Sequence, residues 1–180
     1  MRVISGTAKG MNLKTIEGLA TRPTTDRVKE ALFNIINPGI YKASVLDLFS
    51  GSGSLAIEAL SRGAASADIV ELSPVAVACI NENLTKTRLA VNASVHTTDV
   101  FAYLKNCRCR YDFIFMDPPY HSDLIVQAIS LISSRNLLKE GGIIVCECDH
   151  DEVIPKTISD INLYDTRKYG RVLLNFLKKM

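Results

Sequence analysis

The sequence has no apolar run near the roughly 20 residues that a membrane-spanning helix needs. Its first residues, MRVISGTAKGMNLK, lack the apolar core of a secretory signal. Internal repeats and low-complexity linkers are absent as well. With 47% hydrophobic and 22% charged residues over 180 positions, the composition predicts a globular protein with a proper core, which we expect in the cytoplasm.

A C-x-x-C cysteine pair is also missing. The odd number of cysteines and their spacing argue against a disulfide framework and against a zinc ribbon. Two C-x-C pairs could bind a soft metal, but their spacing matches no common site, and free cysteine behaves as a small hydrophobe. We therefore predict buried thiols and no metal. The five cysteines are Cys79, Cys107, Cys109, Cys146 and Cys148.

A strong net charge is absent too, because the formal value is only +2. The field of the whole protein is therefore weak, although basic residues are grouped near the two ends of the chain. Such clusters can meet phosphates, but charge alone favours an ordinary solvated surface. The grouped residues are Arg2, Lys9, Lys14, Arg22, Arg27, Lys29, Arg167, Lys168, Arg171, Lys178 and Lys179.

Glycines and polar residues divide the beginning of the chain. Residues 1–20 contain short extended stretches broken by glycines, so we predict a small N-terminal β-hairpin. Residues 21–180 would form the main domain. There Thr24 or Thr25 is predicted to cap a helix with apolar residues at helical spacing, ended by the Asn-Pro-Gly sequence at 37–39.

From Ser44 onward, predicted strands and helices alternate. This order predicts an α/β, Rossmann-like fold, with a mostly parallel seven-stranded sheet and helices on both faces. An antiparallel hairpin around Tyr169-Gly170 closes it. The predicted strands are SVLDLF, ASADIVEL, NASVHTTD, YDFIFMD, GGIIVCECD and two within INLYDTRKYGRVLLNFLKK, and the predicted helices are GSGSLAIEALSRG, PVAVACINENLTKT and SDLIVQAISLIS.

Ligands of open parallel sheets bind beyond the carboxyl ends of the strands. Residues 47–53, 71–74, 99–101 and 117–120 follow predicted strands, so we expect them to form one crevice. In DLFSGSG, Gly51 and Gly53 allow a tight turn before a helix that offers its N-terminal amides. Such a turn is weak evidence on its own, but Glu71 ends the next strand, where a carboxylate can accept both hydroxyls of a ribose.

The acid before this turn distinguishes between cofactors. The sequence G-S-G-S-L-A nearly fits a dinucleotide fingerprint, with Ala56 in the third position. Asp47, however, would repel a pyrophosphate and could hold an amino group. S-adenosylmethionine has an ammonium, a sulfonium and no phosphate, so we predict it as the cofactor. Asp99 either accepts from the adenine amine or caps a helix; Phe101 borders the adenine or, as we favour, fills the core.

The sequence FIFMDPPYHSD ends a buried strand with an acid, two prolines and a tyrosine. Asp117 and the carbonyl of Pro118 could accept the hydrogens of an exocyclic amine and turn its lone pair toward a methyl donor. Pro118 and Pro119 would fix these acceptors, and Tyr120 offers a face for a flipped-out base. A plain structural turn is the alternative, which the rest of the crevice disfavours.

These motifs resemble the class I S-adenosylmethionine-dependent amino-methyltransferases. MRVISGTAKGMNLKT, TRPTTDRVKEALFNII, VLDLFSGSGSLAIEALSRGA and KYGRVLLNF are similar to the bacterial 16S ribosomal RNA guanine-N2 methyltransferase family, over nearly the whole chain. The resemblance implies methyl transfer to N2 of one guanine in 16S rRNA, within the 30S subunit or an assembly intermediate. The cofactor-binding residues that it implies are Asp47, Phe49, Ser50, Gly51, Gly53, Glu71, Leu72, Asp99, Val100 and Asp117, and the catalytic ones are Asp117, Pro118, Pro119 and Tyr120.

The RNA contacts are the remaining expectation. Arg22 lies in the most family-specific stretch, where it would pair with the cofactor carboxylate or an RNA phosphate, or simply be an exposed loop arginine. We expect a monomer. The expected RNA-binding residues are Lys9, Arg22, Thr24, Arg27, Tyr120 and His121.

Three competing functions stay open at this point. The same chemistry could act on adenine N6 or cytosine N4 of DNA or RNA, or on a protein glutamine. A dinucleotide-dependent oxidoreductase would have no use for the D-P-P-Y sequence. A noncatalytic RNA-binding assembly factor would not need residues 117–120 intact.

Overall fold

The computed structural model describes residues 1–16, 26–119 and 123–179. Their centre is an eight-stranded sheet in the order β3-β2-β1-β4-β5-β8-β7-β6. The strands are Ser44–Leu48 (β1), Ser66–Glu71 (β2), Ala93–Thr97 (β3), Tyr111–Met116 (β4), Leu138–Asp149 (β5), Thr157–Ile158 (β6), Ile161–Tyr169 (β7) and Val172–Lys179 (β8). The helices are Asp26–Ile40 (α1), Ser54–Ser61 (α2), Pro74–Thr87 (α3), Val100–Asn106 (α4) and Leu124–Ser134 (α5), with a 3₁₀ turn at Ala90–Asn92.

The predicted architecture is confirmed. Strands β3, β2, β1, β4 and β5 are parallel, and β8, β7 and β6 continue the sheet antiparallel. The eighth strand, Thr157–Ile158, was not predicted, because two residues are too few to show an alternating pattern. None of the helices in the described ranges has the length and apolar character required to cross a bilayer.

The end of helix α1 differs from the prediction. The Asn-Pro-Gly sequence does not stop it, and the helix continues through Pro38 to Ile40. Proline has no N–H group, so the carbonyl of Asn34, four residues before Pro38, loses its helical hydrogen bond. Asn34 and Pro38 are both exposed, so water can replace this bond. Ile36 and Ile40 lie one turn apart and are buried, and their packing holds the last turn. The predicted cap, Thr24 or Thr25, lies outside the described residues.

Two apolar layers enclose the sheet. Val45, Phe113 and Phe115 face the layer formed by α1, α2 and α3. Leu46 and Ile114 face the opposite layer, formed by α4 and α5. Burial on both faces explains why these strands are almost continuously apolar. Parallel pairing of β1 with β2 and β4 places their carboxyl ends side by side.

Residues 1–13 form an antiparallel ribbon. Arg2 and Asn12 form a β-bridge, and the amide of Val3 donates to the carbonyl of Met11 at 2.9 Å. Val3 and Leu13 are buried in the core that also contains α1 and α2. The ribbon therefore packs into the main body, and a boundary after residue 20 stays a prediction.

A buried carboxylate joins the ribbon to two helices. Glu58 of α2 accepts from the amides of Ile4 (2.7 Å) and Ser5 (3.0 Å). Its side chain also pairs with Arg62 at 2.8 Å and with the fully buried Lys29 of α1 at 3.5 Å. Desolvation lowers the pKa of Lys29, and the Glu58 charge opposes this shift.

Replacing Glu58 with glutamine should lower the free energy of unfolding by about 3–5 kcal/mol, since it leaves the buried Lys29 ammonium without its counter-charge. Urea unfolding measures the difference. Glu82→Gln is the matched control, because its partner Lys14 and Glu82 are 59% and 57% exposed, and such pairs contribute at most about 1 kcal/mol. Equal effects of the two substitutions would contradict a stabilising role of the buried pair.

Candidate active site

The carboxyl ends of four parallel strands meet at one cavity. Leu48 of β1 pairs with Met116 of β4, so the segments after these strands leave the sheet together. Glu71 of β2 pairs with Thr97 of β3, which brings the segment near Asp99 beside it. The cavity has a volume of about 380 Å³. Its lining is Met1, Thr15, Ile16, Phe49, Ser50, Gly51, Ser52, Ser54, Glu71, Leu72, Asp99, Val100, Phe101, Asp117, Pro119 and Leu124.

The glycine turn after β1 has the backbone expected of it. Gly51 and Gly53 have φ of +55° and +74°, in the left-handed region that favours glycine. A Cβ atom at Gly53 would also meet Ile80 of α3 at 3.2 Å. Gly53 is buried and absent from the cavity lining, so it shapes the turn, whereas Gly51 borders the cavity.

Glu71 connects the end of β2 to this turn. One carboxylate oxygen accepts from the amide of Gly51 at 2.9 Å, and the other accepts from the amide of Ser73 at 2.8 Å. Each oxygen has a second lone pair. The carboxylate therefore lies in the cavity wall in a fixed orientation, and it can still accept hydrogen bonds from the hydroxyl groups of a ligand.

Asp47 does not line the cavity. It is 2% exposed, and its carboxylate accepts from the amide of Ala56 in the first turn of α2 at 3.0 Å. Its backbone carbonyl accepts from the hydroxyl of Ser50 at 2.7 Å. Burial raises the pKa of Asp47 to about 7. The geometry thus assigns Asp47 the anchoring of the glycine turn and α2, and direct contact with an amino group stays a prediction.

The stability of the protein should depend on the protonation of Asp47. The folded state keeps this proton up to pH about 7, while the unfolded chain loses it near 3.8, so stability contributed by this group falls as pH rises between these values. Asp47→Asn has no proton to lose. The unfolding free energy of the variant relative to the wild type should rise across this window and then level off. Unfolding curves at several pH values measure it, and a constant difference would contradict the raised pKa.

Asp99 caps a helix and Phe101 packs against the core, and both also lie in the cavity wall, so their contact with an adenine stays a prediction. A carboxylate oxygen of Asp99 accepts from the amide of Ala102 at 2.9 Å, which confirms the helix cap. Asp99 nevertheless lines the cavity, as does Val100. Phe101 packs against the α4–α5 core and forms part of the same wall.

The D-P-P segment follows β4 directly. Asp117 is partly buried and Pro119 exposed, and both line the cavity. Pro118 is buried between them and is not part of the lining. Tyr120 and His121, with Arg22 and Thr24, lie outside the described residues.

The described RNA-contact candidates are on the surface. Lys9 is exposed in the ribbon and Arg27 in the first turn of α1, and neither lines the cavity. The cavity also includes Met1, Thr15 and Ile16. The strand-end rule, by which we expected the site among the residues that directly follow the predicted strands, cannot identify these three. Buried Asn83 of α3 places this part of the ribbon. Its side chain accepts from the Lys14 amide at 2.8 Å and donates to the carbonyls of Lys14 and Ser52, both at 3.0 Å.

Four of the five cysteines are buried, as predicted, but Cys109 is exposed in the segment before β4. Burial raises the thiol pKa of Cys148 to about 12, so this cysteine is a protonated core residue at neutral pH. The group of possible metal ligands found within the described residues contains no cysteine and consists of Asp149, His150 and Asp151.

The comparisons with known proteins identify the family of this chain. Residues 1–178 match the family described as "Conserved hypothetical protein 95". Ribosomal RNA small subunit methyltransferase D of Escherichia coli is 33% identical over 172 residues, which cover 96% of this chain and 86% of that protein. The chain belongs to this bacterial ribosomal RNA methyltransferase family.

A curated relative and a solved structure of similar length support the family assignment. YlbH of Bacillus subtilis is 39% identical over 182 residues, covering 99% of both chains. The solved structure of yhhF from Escherichia coli has a TM-score of 0.89 at 32% identity and covers 99% of this chain and 97% of that one. The chain has the class I methyltransferase fold of these solved structures, and its cavity lies at the carboxyl edge of the sheet.

Proposed function

We propose that the protein transfers a methyl group from S-adenosylmethionine to the exocyclic N2 of one guanine in 16S rRNA. The observation that carries the proposal is the entry of Asp117 and Pro119 into the same cavity as the glycine turn and Glu71. Relatives that match this chain over 80% or more of their own length are named small subunit ribosomal RNA methyltransferases. We propose the 30S subunit or an assembly intermediate as the substrate particle, a cytoplasmic location, and a monomeric enzyme.

The cavity fits a cationic nucleoside. Its described lining contains three carboxylates and neither lysine nor arginine. Carboxylates attract an ammonium and a sulfonium and repel a pyrophosphate, which disfavours a dinucleotide. Glu71 would accept the ribose hydroxyls and Asp99 the adenine amine, with Leu72, Val100 and Phe101 against the adenine ring. The turn from Phe49 to Gly51 would hold the methionine part.

Bound S-adenosylmethionine supplies a methyl group on a positively charged sulfur, which an amine nitrogen can take. Asp117 and the carbonyl of Pro118 accept the two hydrogens of the guanine amine, which withdraws its lone pair from the ring and aims it across the cavity. The carboxylate also stabilises the positive charge that develops on the nitrogen. Water then takes the proton, so no side-chain base is needed.

The target base needs a surface on which to stack once it has left its RNA strand. Tyr120 follows Pro119 directly and would supply that surface, with His121 beside it. Lys9, Arg22, Thr24 and Arg27 would contact the neighbouring RNA backbone.

Methyl transfer from labelled S-adenosylmethionine tests the substrate class. Unmethylated 30S subunits, naked 16S rRNA and duplex DNA are offered to the wild-type protein under the same conditions. We expect label in the 30S sample and little in the DNA. Label confined to DNA would contradict the proposal, as would cofactor binding without transfer to any of the three.

A further inference from the structure

The edge of the sheet opposite the cavity carries exposed basic side chains. They lie just before the parallel strands, at the start of β5, or at the ends of the helices that lead into the strands. We name this set the amino-edge belt. Its members are Lys42, Arg88, Arg108, Arg110, Arg135 and Lys139, of which the first five are exposed and the last partly exposed.

Hydrogen bonds join the loops that carry the belt into a continuous row. Asn92 donates to the carbonyl of Ala65 at 3.0 Å, and the amide of Ala65 donates to Ala43 at 2.8 Å. The hydroxyl of Ser44 donates to the carbonyl of Arg110 at 3.2 Å. The loops before β3, β2, β1 and β4 are therefore joined side by side, and β5 lies next to β4. Four strand spacings give the belt a length of about 19 Å.

The belt has little acidic compensation. The sequences that carry most of it, YKA at 41–43, RLAVN at 88–92 and CRCR at 107–110, contain no acid. Lys139 pairs with Asp112 at 2.8 Å, and Glu140 follows it. The other five belt residues have no ion-pair partner within residues 1–16, 26–119 and 123–179.

The small net charge therefore hides a separation of charge across the molecule. Glu71, Asp99 and Asp117 line the cavity at the carboxyl edge, and Asp47 is buried behind it. These carboxylates suit a cationic cofactor but repel the phosphates on either side of a target base. An RNA substrate consequently needs attraction elsewhere on the protein, and the belt offers it.

Local structure explains only part of the belt. Arg88 and Arg135 are the C-caps of α3 and α5, where cations stabilise the helix dipole. Arg108 and Arg110 lie beyond the end of α4 in a segment with no helix or strand. Beside Lys42, the ring of Tyr41 is 70% exposed, with the Lys42 ammonium 5.5 Å from its centre. An exposed ring among cations is typical of surfaces that bind unpaired nucleotides.

We propose that the amino-edge belt binds a second segment of RNA backbone while the target guanine occupies the cavity. This inference rests on the proposed function and predicts that a folded ribosomal particle is a better substrate than an isolated RNA segment. The six residues of β4 separate the two edges by about 20 Å. A short hairpin that fills the cavity does not reach the belt, whereas a particle with several RNA segments contacts both edges.

Arg108→Glu and Arg110→Glu, made singly, test the proposal. Lys156→Glu is the matched control, because it makes the same charge change at an exposed residue between β5 and β6, on the antiparallel part of the sheet and outside the belt. Methylation of unmethylated 30S particles is measured at several salt concentrations, with S-adenosylmethionine binding followed by calorimetry. A second substrate is a short RNA hairpin bearing the nucleotide that the wild-type protein methylates.

Each belt substitution should raise KM for the particle about tenfold at 0.1 M salt. It should also lower the slope of log KM against log salt concentration by about one, the value for one lost phosphate contact. The kcat and the cofactor affinity should not change. The hairpin should be methylated equally by the variants and the wild type. An unchanged KM for the particle, or an equal rise in the Lys156→Glu control, would overturn the belt while leaving the proposed function intact. A wild-type protein without methyl transfer would overturn both.

Discussion

Asp117→Ala lowers the methylation rate about 10²- to 10³-fold and leaves the affinity for S-adenosylmethionine nearly unchanged, if the carboxylate acts as proposed. Asp117 follows β4 in the cavity wall, and in the proposed mechanism its charge lies beside the amine nitrogen on which positive charge develops. The partly buried position strengthens this interaction relative to water. The loss should appear in kcat, because the charge matters more in the transition state than in the bound substrate.

Single-turnover methylation of 30S subunits measures the rate, and calorimetry measures cofactor binding. Asp151→Ala is the matched control, since it removes an exposed carboxylate just beyond the end of β5 without touching the cavity lining. The methylation rate of Asp117→Asn should lie between those of the wild type and the alanine variant, because the amide oxygen still accepts one hydrogen bond. A wild-type rate for Asp117→Ala would remove Asp117 from the mechanism, and a rate loss matched by the loss of cofactor affinity would make it a binding residue.

Glu71→Ala raises the dissociation constant of S-adenosylmethionine by about 10²-fold, on the order of one or two hydrogen bonds to a charged group. The substitution removes the proposed ribose acceptor. It also leaves the amides of Gly51 and Ser73 without their partner and so loosens the glycine turn. The substitution therefore weakens cofactor binding in two ways, because it removes a direct acceptor and loosens the turn beside the ligand.

Calorimetry with S-adenosylmethionine and with S-adenosylhomocysteine checks this result. Both ligands share the ribose, so their affinities should fall together. Glu71→Gln keeps one acceptor oxygen and should lose less than the alanine variant. Glu82→Ala, on the exposed side of α3, should bind like the wild type. An unchanged dissociation constant for Glu71→Ala would reject the ribose assignment.

The strand-end rule located the cavity from the sequence because the central strands are buried on both faces. Continuous apolar runs such as residues 113–116 mark these strands clearly, and the polar residues after them then lie at one edge. The rule does not say which of those side chains enter the cavity. Asp47 alternates with Leu46 and Leu48 along β1, so it points into the layer of α1, α2 and α3, where its carboxylate accepts a hydrogen bond from the amide of Ala56.

Other features depend on contacts between distant segments. Met1, Thr15 and Ile16 reach the cavity because Asn83 holds the ribbon beside α3, and no local pattern predicts this contact. The extension of α1 to Ile40 likewise depends on tertiary packing, which outweighs the local signal of Pro38. The seven-residue helix α4 was anticipated only as a possible cap at Asp99, because it is too short for its spacing to be distinctive.

Identification of the methylated nucleoside tests the central claim most directly. Small-subunit RNA methylated by the wild-type protein is digested to nucleosides, and the product is compared with standards by chromatography and mass spectrometry. We expect N2-methylguanosine from the wild-type protein, and none when the Asp117→Ala variant replaces it for the same short time. A methyl group on adenine, on cytosine or on a ring nitrogen of guanine would contradict it.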